Sequence, residues 1–359
     1  MTYPSRVVLV ATATAAALTA PAVSAQAATR TVDVGTPPAS QKAFQKVGAD
    51  VNAFFPRSVT VRAGDRLRFV PDGFHTVDLP ARGQGDLPLI TTSGAVSGAN
   101  DAAGRPFWFN GQGRPGFNPA LLASSWGKKV TYDATQRIDS GLPLAGSPKP
   151  LTVTFKKTGR FTFFCDVHPG MKGTVKVVGR RRHIPSSRQN ARSVKRQVAS
   201  ALRTAKRLTS TKPPAGTVSI GAAGAGGVES FAFYPASLTV APGATVTFSM
   251  AVRSREVHTA TTGPGNPETE PGSYLGKLAA SLTSPSIDPA AIYPSDVPGT
   301  PASLTKTSHG NGFWSSGALD NDKGSPLPAA NRVTFTEPGT YELYCLIHPF
   351  MHGRVVVKP

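Results

Sequence analysis

The sequence predicts an all-β protein made of two tandem β-sandwiches with a basic helical segment between them. Short runs of β-branched and aromatic residues, separated by Gly, Pro, Asn and Asp turns, cover most of the 359 residues. The same motifs recur in the same order about 180 positions apart. Only the segment between the two copies has clear helical periodicity. Each half is long enough to bury its own hydrophobic core.

The chain divides into four predicted parts. Residues 1–28 contain Arg6, an apolar run at 7–18 and small residues at 22–28, which is the pattern of a secretory signal peptide. The apolar run is too short for a stable membrane span, so we expect an exported protein with no transmembrane anchor. The other predicted parts are a first domain at 29–179, a basic linker at 180–214 and a second domain at 215–359.

A seven-residue pattern, Cys-x-x-His-Pro-x-Met, occurs once in each half and contains the only two cysteines of the chain. Its candidate metal ligands are Cys165, His168 and Met171 in the first copy and Cys345, His348 and Met351 in the second. Strand-like runs flank both copies, which predicts a tight loop between two strands, stiffened by a proline. Thiolate, imidazole and thioether donors, with one further imidazole, form the trigonal site that suits copper in electron transfer.

Both segments resemble the C-terminal copper loop of the cupredoxins, the plastocyanin and azurin family, with the ligand spacing of the amicyanin-type short loop. The resemblance implies two tandem cupredoxin-like Greek-key β-sandwiches and two coppers per chain, cycling between Cu(I) and Cu(II). It also implies a second histidine from an earlier strand end, for which His75 and His258 are the candidates. Thr76 and Thr259 follow them where the family more often has Asn, so their hydroxyls are candidates to brace the loop.

The intervals from His75 to Cys165 and from His258 to Cys345 are longer than a few strands with tight turns require. Residues 81–148 and 263–330 are therefore interpreted as loop-rich insertions. Each contains a Phe-Trp pair, at positions 107–108 and 313–314. Two interpretations stay open: the aromatic pairs cover the edge of the sandwich, or they form a lid or partner surface beside the copper.

The linker has an unusual charge. Residues 180–212 contain eleven Lys and Arg and no acid, which is more than half of the formal net charge of +19. Apolar residues recur at helical spacing within it, namely Val194, Val198, Ala201, Leu202, Ala205 and Leu208. One interpretation is a helix packed across the domain boundary with a solvated basic face. The other is adhesion to an anionic cell-envelope surface or an acidic redox partner. Nucleic acid is disfavoured because the leader directs the chain outside the cell.

Two other uses of the cysteines compete with copper. Two cysteines in an exported protein often form a disulfide. Here each cysteine has its own histidine and methionine in register, and a disulfide would leave both sets unused. A structural zinc site takes four strong ligands and does not use methionine. The donor pattern therefore favours copper.

Three functions use such ligands: electron transfer, copper storage or delivery, and multicopper oxidase or nitrite reductase catalysis. A trinuclear cluster takes about eight further histidines, and the chain has seven in all, with no His-x-His pair. Phe164 and Tyr344 stand directly before the cysteines, where those enzymes commonly have histidine. We therefore expect a non-enzymatic, extracytoplasmic electron carrier of the cell envelope or periplasm, with two type 1 sites and an unidentified redox partner.

The two predicted sites differ in the residue that follows the cysteine, which is Asp166 in the first and Leu346 in the second. A nearby carboxylate favours Cu(II), so the first site is expected to have the lower reduction potential. The alternative is that Asp166 turns into solvent, where its charge is screened.

Overall fold

The computed structural model describes residues 27–144, 146, 148–284, 286–322 and 325–359. All but the last two residues of the predicted signal peptide lie outside this part. The described chain consists mainly of β-strands in two successive sandwiches, which confirms the predicted all-β class. Among the described residues, no helix is long and apolar enough to cross a membrane.

The first sandwich consists of two five-stranded sheets. In spatial order, one contains β3 (Phe54–Phe55), β1 (Thr29–Val34), β5 (Arg66–Pro71), β11 (Leu151–Phe155) and β9 (Lys129–Tyr132). The other contains β10 (Ile138–Asp139), β6 (Asp78–Leu79), β12 (Gly159–Phe164), β13 (Lys172–Val178) and β4 (Ser58–Arg62). Alternate residues of these strands face inward, as the strand period of two requires, and Phe69, Phe155 and Phe163 are fully buried between the sheets.

The second sandwich repeats this plan. Its five-stranded sheet contains β16 (Ser237–Val240), β23 (His352–Val357), β22 (Gly339–Tyr344), β18 (Thr261–Thr262) and β20 (Trp314–Ser315). Its six-stranded sheet contains β19 (Ala302–Leu304), β21 (Ala330–Phe335), β17 (Ala244–Met250), β14 (Thr217–Gly224), β15 (Val228–Tyr234) and β2 (Ala49–Val51). Phe248, Trp314 and Phe335 fill the core between the two sheets.

One strand crosses from the first half of the chain into the second. β2 pairs antiparallel with β15, so that Val51 lies opposite Val228 and Ala49 lies opposite Ser230. The amide of Asn52, directly after β2, donates to the carbonyl of Gly227 at 2.7 Å. The two halves are thus joined by backbone hydrogen bonds as well as by side-chain packing.

The predicted linker helix is present as α2, Ser187–Leu208. Ser186 caps it, accepting from the Gln189 amide, while the Gln189 side chain accepts from the Ser186 amide. Its apolar face packs on Phe44, Phe55 and Val228, which come from both halves. Its basic residues are exposed, namely Arg188, Arg192, Lys195, Arg196, Arg203, Lys206 and Arg207. The helix therefore lies across the boundary with its charged face in water.

The two insertions pack on each other. The first carries the hairpin of β7 (Ile90–Ala95) and β8 (Gly113–Phe117), and the second carries the helices α3 (Tyr274–Ser281) and α4 (Pro289–Ile292). The other helices within the described ranges are α1 (Gln41–Gln45) and single 3₁₀ turns at Pro38–Ser40, Pro119–Leu121 and Ser308–Gly310.

The two Phe-Trp pairs differ in where their tryptophans pack. Phe107 and Phe313 meet in an apolar cluster between the insertions, which also contains Leu346. The indole of Trp108 donates to the carbonyl of Pro294 at 2.8 Å, whereas Trp314 belongs to the core of the second sandwich. The insertions therefore form a third apolar cluster that connects the halves.

Candidate metal centres

The two heptads are the loops of two β-hairpins. In the first, Phe164 at the end of β12 pairs with Lys172 at the start of β13, and the seven residues between them form the loop. The Cys165 amide donates to the Met171 carbonyl at 3.0 Å, and the Met171 amide donates to the His168 carbonyl at 2.9 Å. The second loop, between Tyr344 and His352, has the same two backbone bonds at 3.0 and 2.8 Å. Hairpin pairing and the internal bonds hold each cysteine and histidine in a fixed relation.

A short strand brings the distant histidine to each loop. Asp78 of β6 pairs with Phe164, and Thr261 of β18 pairs with Tyr344, so each paired position lies three positions after His75 or His258. This connection places both histidines beside the cysteines, as the repeat predicted.

A glycine leaves room for each of these rings. Gly35 has φ +97°, and a Cβ there would lie 2.8 Å from His75 Nε2. Gly221, at the corresponding position of the repeat, has φ +76°, and a Cβ would lie 3.1 Å from His258 Nε2. A side chain at either position would therefore displace the imidazole, in addition to straining the backbone.

The predicted donors form two triads. In the first, Cys165 Sγ lies 3.7 Å from His75 Nδ1 and 3.5 Å from His168 Nδ1. In the second, Cys345 Sγ lies 3.6 Å from His258 Nδ1 and 3.8 Å from His348 Nδ1. Both cysteines are free and buried, so neither forms a disulfide in this structure.

These separations fit a single metal ion in each triad. Metal–sulfur and metal–imidazole bonds of about 2.3 and 2.0 Å, opened to a trigonal angle, place sulfur and nitrogen about 3.7 Å apart. Met171 and Met351 close the loops and are buried in the same apolar clusters as Cys165 and Cys345. The sets thus combine one thiol and two Nδ1 atoms, with a methionine buried in the same cluster, and these are donor types that suit copper.

The threonines brace the loops. Thr76 Oγ1 accepts from the Asp166 amide at 2.8 Å, and Thr259 Oγ1 accepts from the Leu346 amide at 2.8 Å. The backbone amides of the same threonines lie 3.4 Å from the two cysteine sulfurs. Each hydroxyl therefore satisfies a buried amide beside a cysteine, which is the bracing role that the sequence suggested for it.

Sequence reasoning missed a glutamate between the two triads. Glu256 is buried, with Oε1 3.2 Å from His168 Nε2 and Oε2 3.5 Å from His348 Nε2. The Asn52 side chain, which follows the crossing strand β2, donates to Oε1 at 2.6 Å. No motif marks this position, because the residue two before His75 in the first half is Gly73.

The electrostatics of the two triads differ. Burial disfavours the charged form of His168, but Glu256 and Cys165 outweigh it and raise the His168 pKa to about 10. Burial also raises the pKa of the Cys165 thiol, yet its contacts with His168 and His75 hold that pKa well below its usual value. In the second triad burial dominates, raising the pKa of Cys345 and, together with His348, lowering that of His258 to about 3. The metal-free first triad therefore favours a thiolate–imidazolium pair.

Three aspartates adjoin the first triad. Carboxylate oxygens of Asp78, Asp139 and Asp166 lie within 4.8 Å of one another, and Arg137 pairs with Asp78. Burial and then the Asp166 charge raise the pKa of Asp78 to about 7 and that of Asp139 to about 8. Asp166 is buried and accepts from the Leu87 amide and the Thr76 hydroxyl. The interpretation that Asp166 turns into solvent is therefore wrong.

Comparisons with known proteins give partial matches. No family model matches the chain. The chain is 59% identical over 29 residues to amicyanin of Paracoccus denitrificans, covering 8% of this chain and 22% of that protein. It is 40% identical over 53 residues to amicyanin-alpha of Methylorubrum extorquens, covering 14% of this chain and 44% of that protein. The chain thus matches less than half the length of either relative.

Among solved structures, oxidised plastocyanin of Dryopteris crassirhizoma aligns with 40% of this chain and 99% of its own, at 24% identity and a TM-score of 0.21. The strand pairing, the repeated hairpin loops and the amicyanin segments agree with the resemblance that the motifs suggested. The chain has a cupredoxin-like fold.

Proposed function

We propose that this chain is an exported copper-binding protein with two type 1 copper sites that acts in one-electron transfer. The observation that carries the proposal is the repeated His-Cys-His triad, with Sγ–Nδ1 separations of 3.5 to 3.8 Å in two buried sites. Bound copper would supply a one-electron couple between Cu(I) and Cu(II). The proposed ligands are His75, Cys165, His168 and Met171 in the first site, and His258, Cys345, His348 and Met351 in the second.

The protein's contribution is to hold these donors in one arrangement. Hairpin pairing, internal loop bonds and the threonine hydroxyls fix the loops, while Pro169 and Pro349 restrict the backbone. A site that does not rearrange between oxidation states keeps the reorganisation associated with electron transfer small. Burial of both cysteines also keeps water away from the sulfurs.

Burial supports electron transfer over storage or delivery. Three of the four histidines are buried, and the side chain of His348 is only 18% exposed. A delivery protein has to pass its metal to another protein, which is easier from an open site. We therefore propose that copper stays bound while electrons exchange.

The surroundings of the triads support a carrier over an enzyme. Phe164 and Tyr344 precede the cysteines, and His309 lies between Asp101 and Asp296 in the insertions. Among the described residues, the potential metal-binding groups of three or more are the two triads and the three aspartates. Steady oxygen consumption by the copper-loaded protein with a phenolic substrate would contradict the carrier function.

The exposed basic face of α2 supports a partner of opposite charge, and we propose an anionic surface of the cell envelope. Seven exposed Lys and Arg along one helix create a strong local positive potential. Co-sedimentation with phosphatidylglycerol vesicles at low salt, lost at high salt, is the expected result. Equal binding to phosphatidylcholine vesicles would contradict it.

The central test is a copper count combined with visible absorption. The full chain should bind two coppers and show an intense thiolate-to-copper charge-transfer band. Cys165→Ser and Cys345→Ser are matched variants, and each should remove one copper and about half of the band. Loss of both coppers from either single change would show that the triads share ligands and would overturn the two-site proposal.

A further inference from the structure

Glu256 occupies a position that touches both triads. It lies in the second half, two residues before His258, and is only 5% exposed. Its two oxygens face different imidazoles, with Oε1 3.2 Å from His168 Nε2 and Oε2 3.5 Å from His348 Nε2. One buried carboxylate thus spans the two halves of the chain.

The first half fixes this carboxylate in place. Asn52 Nδ2 donates to Glu256 Oε1 at 2.6 Å, and the Asn52 carbonyl accepts from the Arg255 guanidinium at 2.7 Å. Asn52 directly follows the crossing strand β2, and its backbone amide donates a hydrogen bond to the Gly227 carbonyl. The orientation of Glu256 therefore depends on contacts from both halves.

The chemistry of a carboxylate suits this position. An ionised carboxylate only accepts hydrogen bonds, and its two oxygens can accept from two N–H donors together. A negative oxygen beside each Nε2 favours the proton on that nitrogen in both rings. The Nδ1 atoms, which face Cys165 at 3.5 Å and Cys345 at 3.8 Å, then remain available to a metal. A carboxylate that orients a ligand histidine in this way also raises its basicity.

We propose that Glu256 is a single positioning residue shared by the two metal sites, so that the sites form one coupled unit. The proposal rests on the proposed function, since it takes both triads to bind copper. The same carboxylate interacts with an imidazole of each site. A change of charge at one site therefore changes the interaction of this carboxylate with the imidazole of the other site. Coupling of this kind is reciprocal: each site alters the other by the same factor.

Glu256→Ala and Glu256→Gln in the full chain separate this role from a general packing role. Alanine removes both acceptors, and the Cu(II) affinity of both sites should fall by roughly 10- to 100-fold. Glutamine offers one acceptor oxygen and one NH₂ group. The NH₂ group is a donor, so it cannot accept a hydrogen bond from the Nε2–H group of the histidine that it faces. Glutamine should therefore weaken one site strongly and leave the other close to wild type.

Glu229→Gln is the matched control. Glu229 is a second buried glutamate near the same boundary, and it accepts from the Arg255 amide and the Ser254 hydroxyl rather than from a histidine. Its substitution should leave both copper affinities within a few-fold of wild type. Equal losses in Glu229→Gln and Glu256→Ala, or a loss at only one site in Glu256→Ala, would overturn the proposal.

Metal-free protein gives an independent readout. Nitrogen-15 NMR of the imidazoles should show Nε2 protonated in both His168 and His348 of the wild type, with both rings changed in Glu256→Ala. An unchanged His348 in that variant would overturn the shared role. Failure of the wild type to bind two coppers would instead refute the proposed function, while the NMR result would still decide whether Glu256 orients both rings.

Discussion

At the scale of single residues, each site depends on positions that carry no ligand atom. Gly35 and Gly221 allow the backbone to approach the rings of His75 and His258. Thr76 and Thr259 satisfy amides beside the cysteines. These positions affect where the imidazoles and the sulfurs lie, because the glycines leave space for the rings and the threonines bind the backbone beside the cysteines.

Gly35→Ala tests the importance of this close approach. The added Cβ would lie 2.8 Å from His75 Nε2, so the ring has to move and the first site should lose most of its copper. Gly64→Ala is the control, because Gly64 has φ +98°, close to the +97° of Gly35, and no atom within 4 Å of its added Cβ. Both variants carry backbone strain of roughly 1–3 kcal/mol.

The readout for the glycine pair is the copper count together with the charge-transfer band. Gly35→Ala should bind one copper and Gly64→Ala should bind two. Equal copper loss in the two variants would assign the effect to backbone strain and not to the displaced imidazole.

Asp166 should lower the reduction potential of the first site. It is buried, whereas its counterpart Leu346 packs in the apolar cluster between the insertions. Replacing Asp166 with Leu removes a negative charge that favours Cu(II), by about 0.5–2 kcal/mol, so the potential should rise by tens of millivolts.

The pH at which Asp166→Leu is measured matters. Asp78 and Asp139 have pKa values raised to about 7 and about 8, and Asp166 contributes to both shifts. Without Asp166 these groups ionise more readily and partly replace its charge. This replacement operates below the wild-type pKa values, so voltammetry at pH 6 should show a smaller increase in potential than at pH 9.5, where both groups are ionised with or without Asp166. A first site that already has the higher potential in the wild type would contradict the assigned order.

At the scale of elements, the sequence predicted the features that depend on local pattern. The hairpin strands, the heptad loops and the linker helix follow from alternation, turn residues and helical spacing, and the structure contains all of them. The histidine triads were also predictable because the repeat supplies the same order of residues twice. The position of Glu256 was not predictable, because it depends on a contact between the two halves, and local residue spacing gives no information about such a contact.

The insertions show the same limit. The Phe-Trp pairs suggested either an edge cover or a lid, whereas Phe107 and Phe313 pack against each other across the halves. A contact between residues some 200 positions apart depends on how the sandwiches are placed. The sequence pattern left open whether these aromatics cover an edge or form a lid, because it does not identify the residues that they contact.

His309 joins the insertions electrostatically. Its Nδ1 lies 3.4 Å from Asp101 Oδ2 and its Nε2 lies 3.4 Å from Asp296 Oδ1. The Asp296 hydrogen bond raises the pKa of His309 above its ordinary value, against the effect of burial. Because the folded pKa is the higher one, the stabilisation is complete below about pH 6.5 and is lost as the pH rises through the folded value.

His309→Gln should therefore remove a pH-dependent part of the stability. The wild type should have a higher free energy of unfolding at pH 6 than the variant, by up to about 1 kcal/mol, with the difference disappearing at pH 9. Chemical denaturation of the metal-free protein measures this. His183→Gln, at an exposed linker position, is the control. A difference that persists unchanged at pH 9 would assign the effect to packing on Phe107 instead of charge.

At the scale of the whole molecule, the two candidate centres face each other across the boundary. His168 and His348 both direct Nε2 towards Glu256 and therefore away from solvent. Phe350, which is 54% exposed and has its ring centroid 5.9 Å from that of His348, is the large apolar residue at the outer side of the second loop. Electron exchange with a partner is therefore expected beside Phe350 and not at the edge of either histidine.

The crossing strand β2 also has a consequence for synthesis. Ala49–Val51 leaves the ribosome about 180 residues before its partner strand β15. At roughly 5–20 residues per second, this segment waits some 10–40 s before it can pair. For much of translation, the first half of the nascent chain thus carries a strand without its pairing partner and apolar side chains that have not yet been buried. A chaperone that shields extended segments would have a defined substrate here.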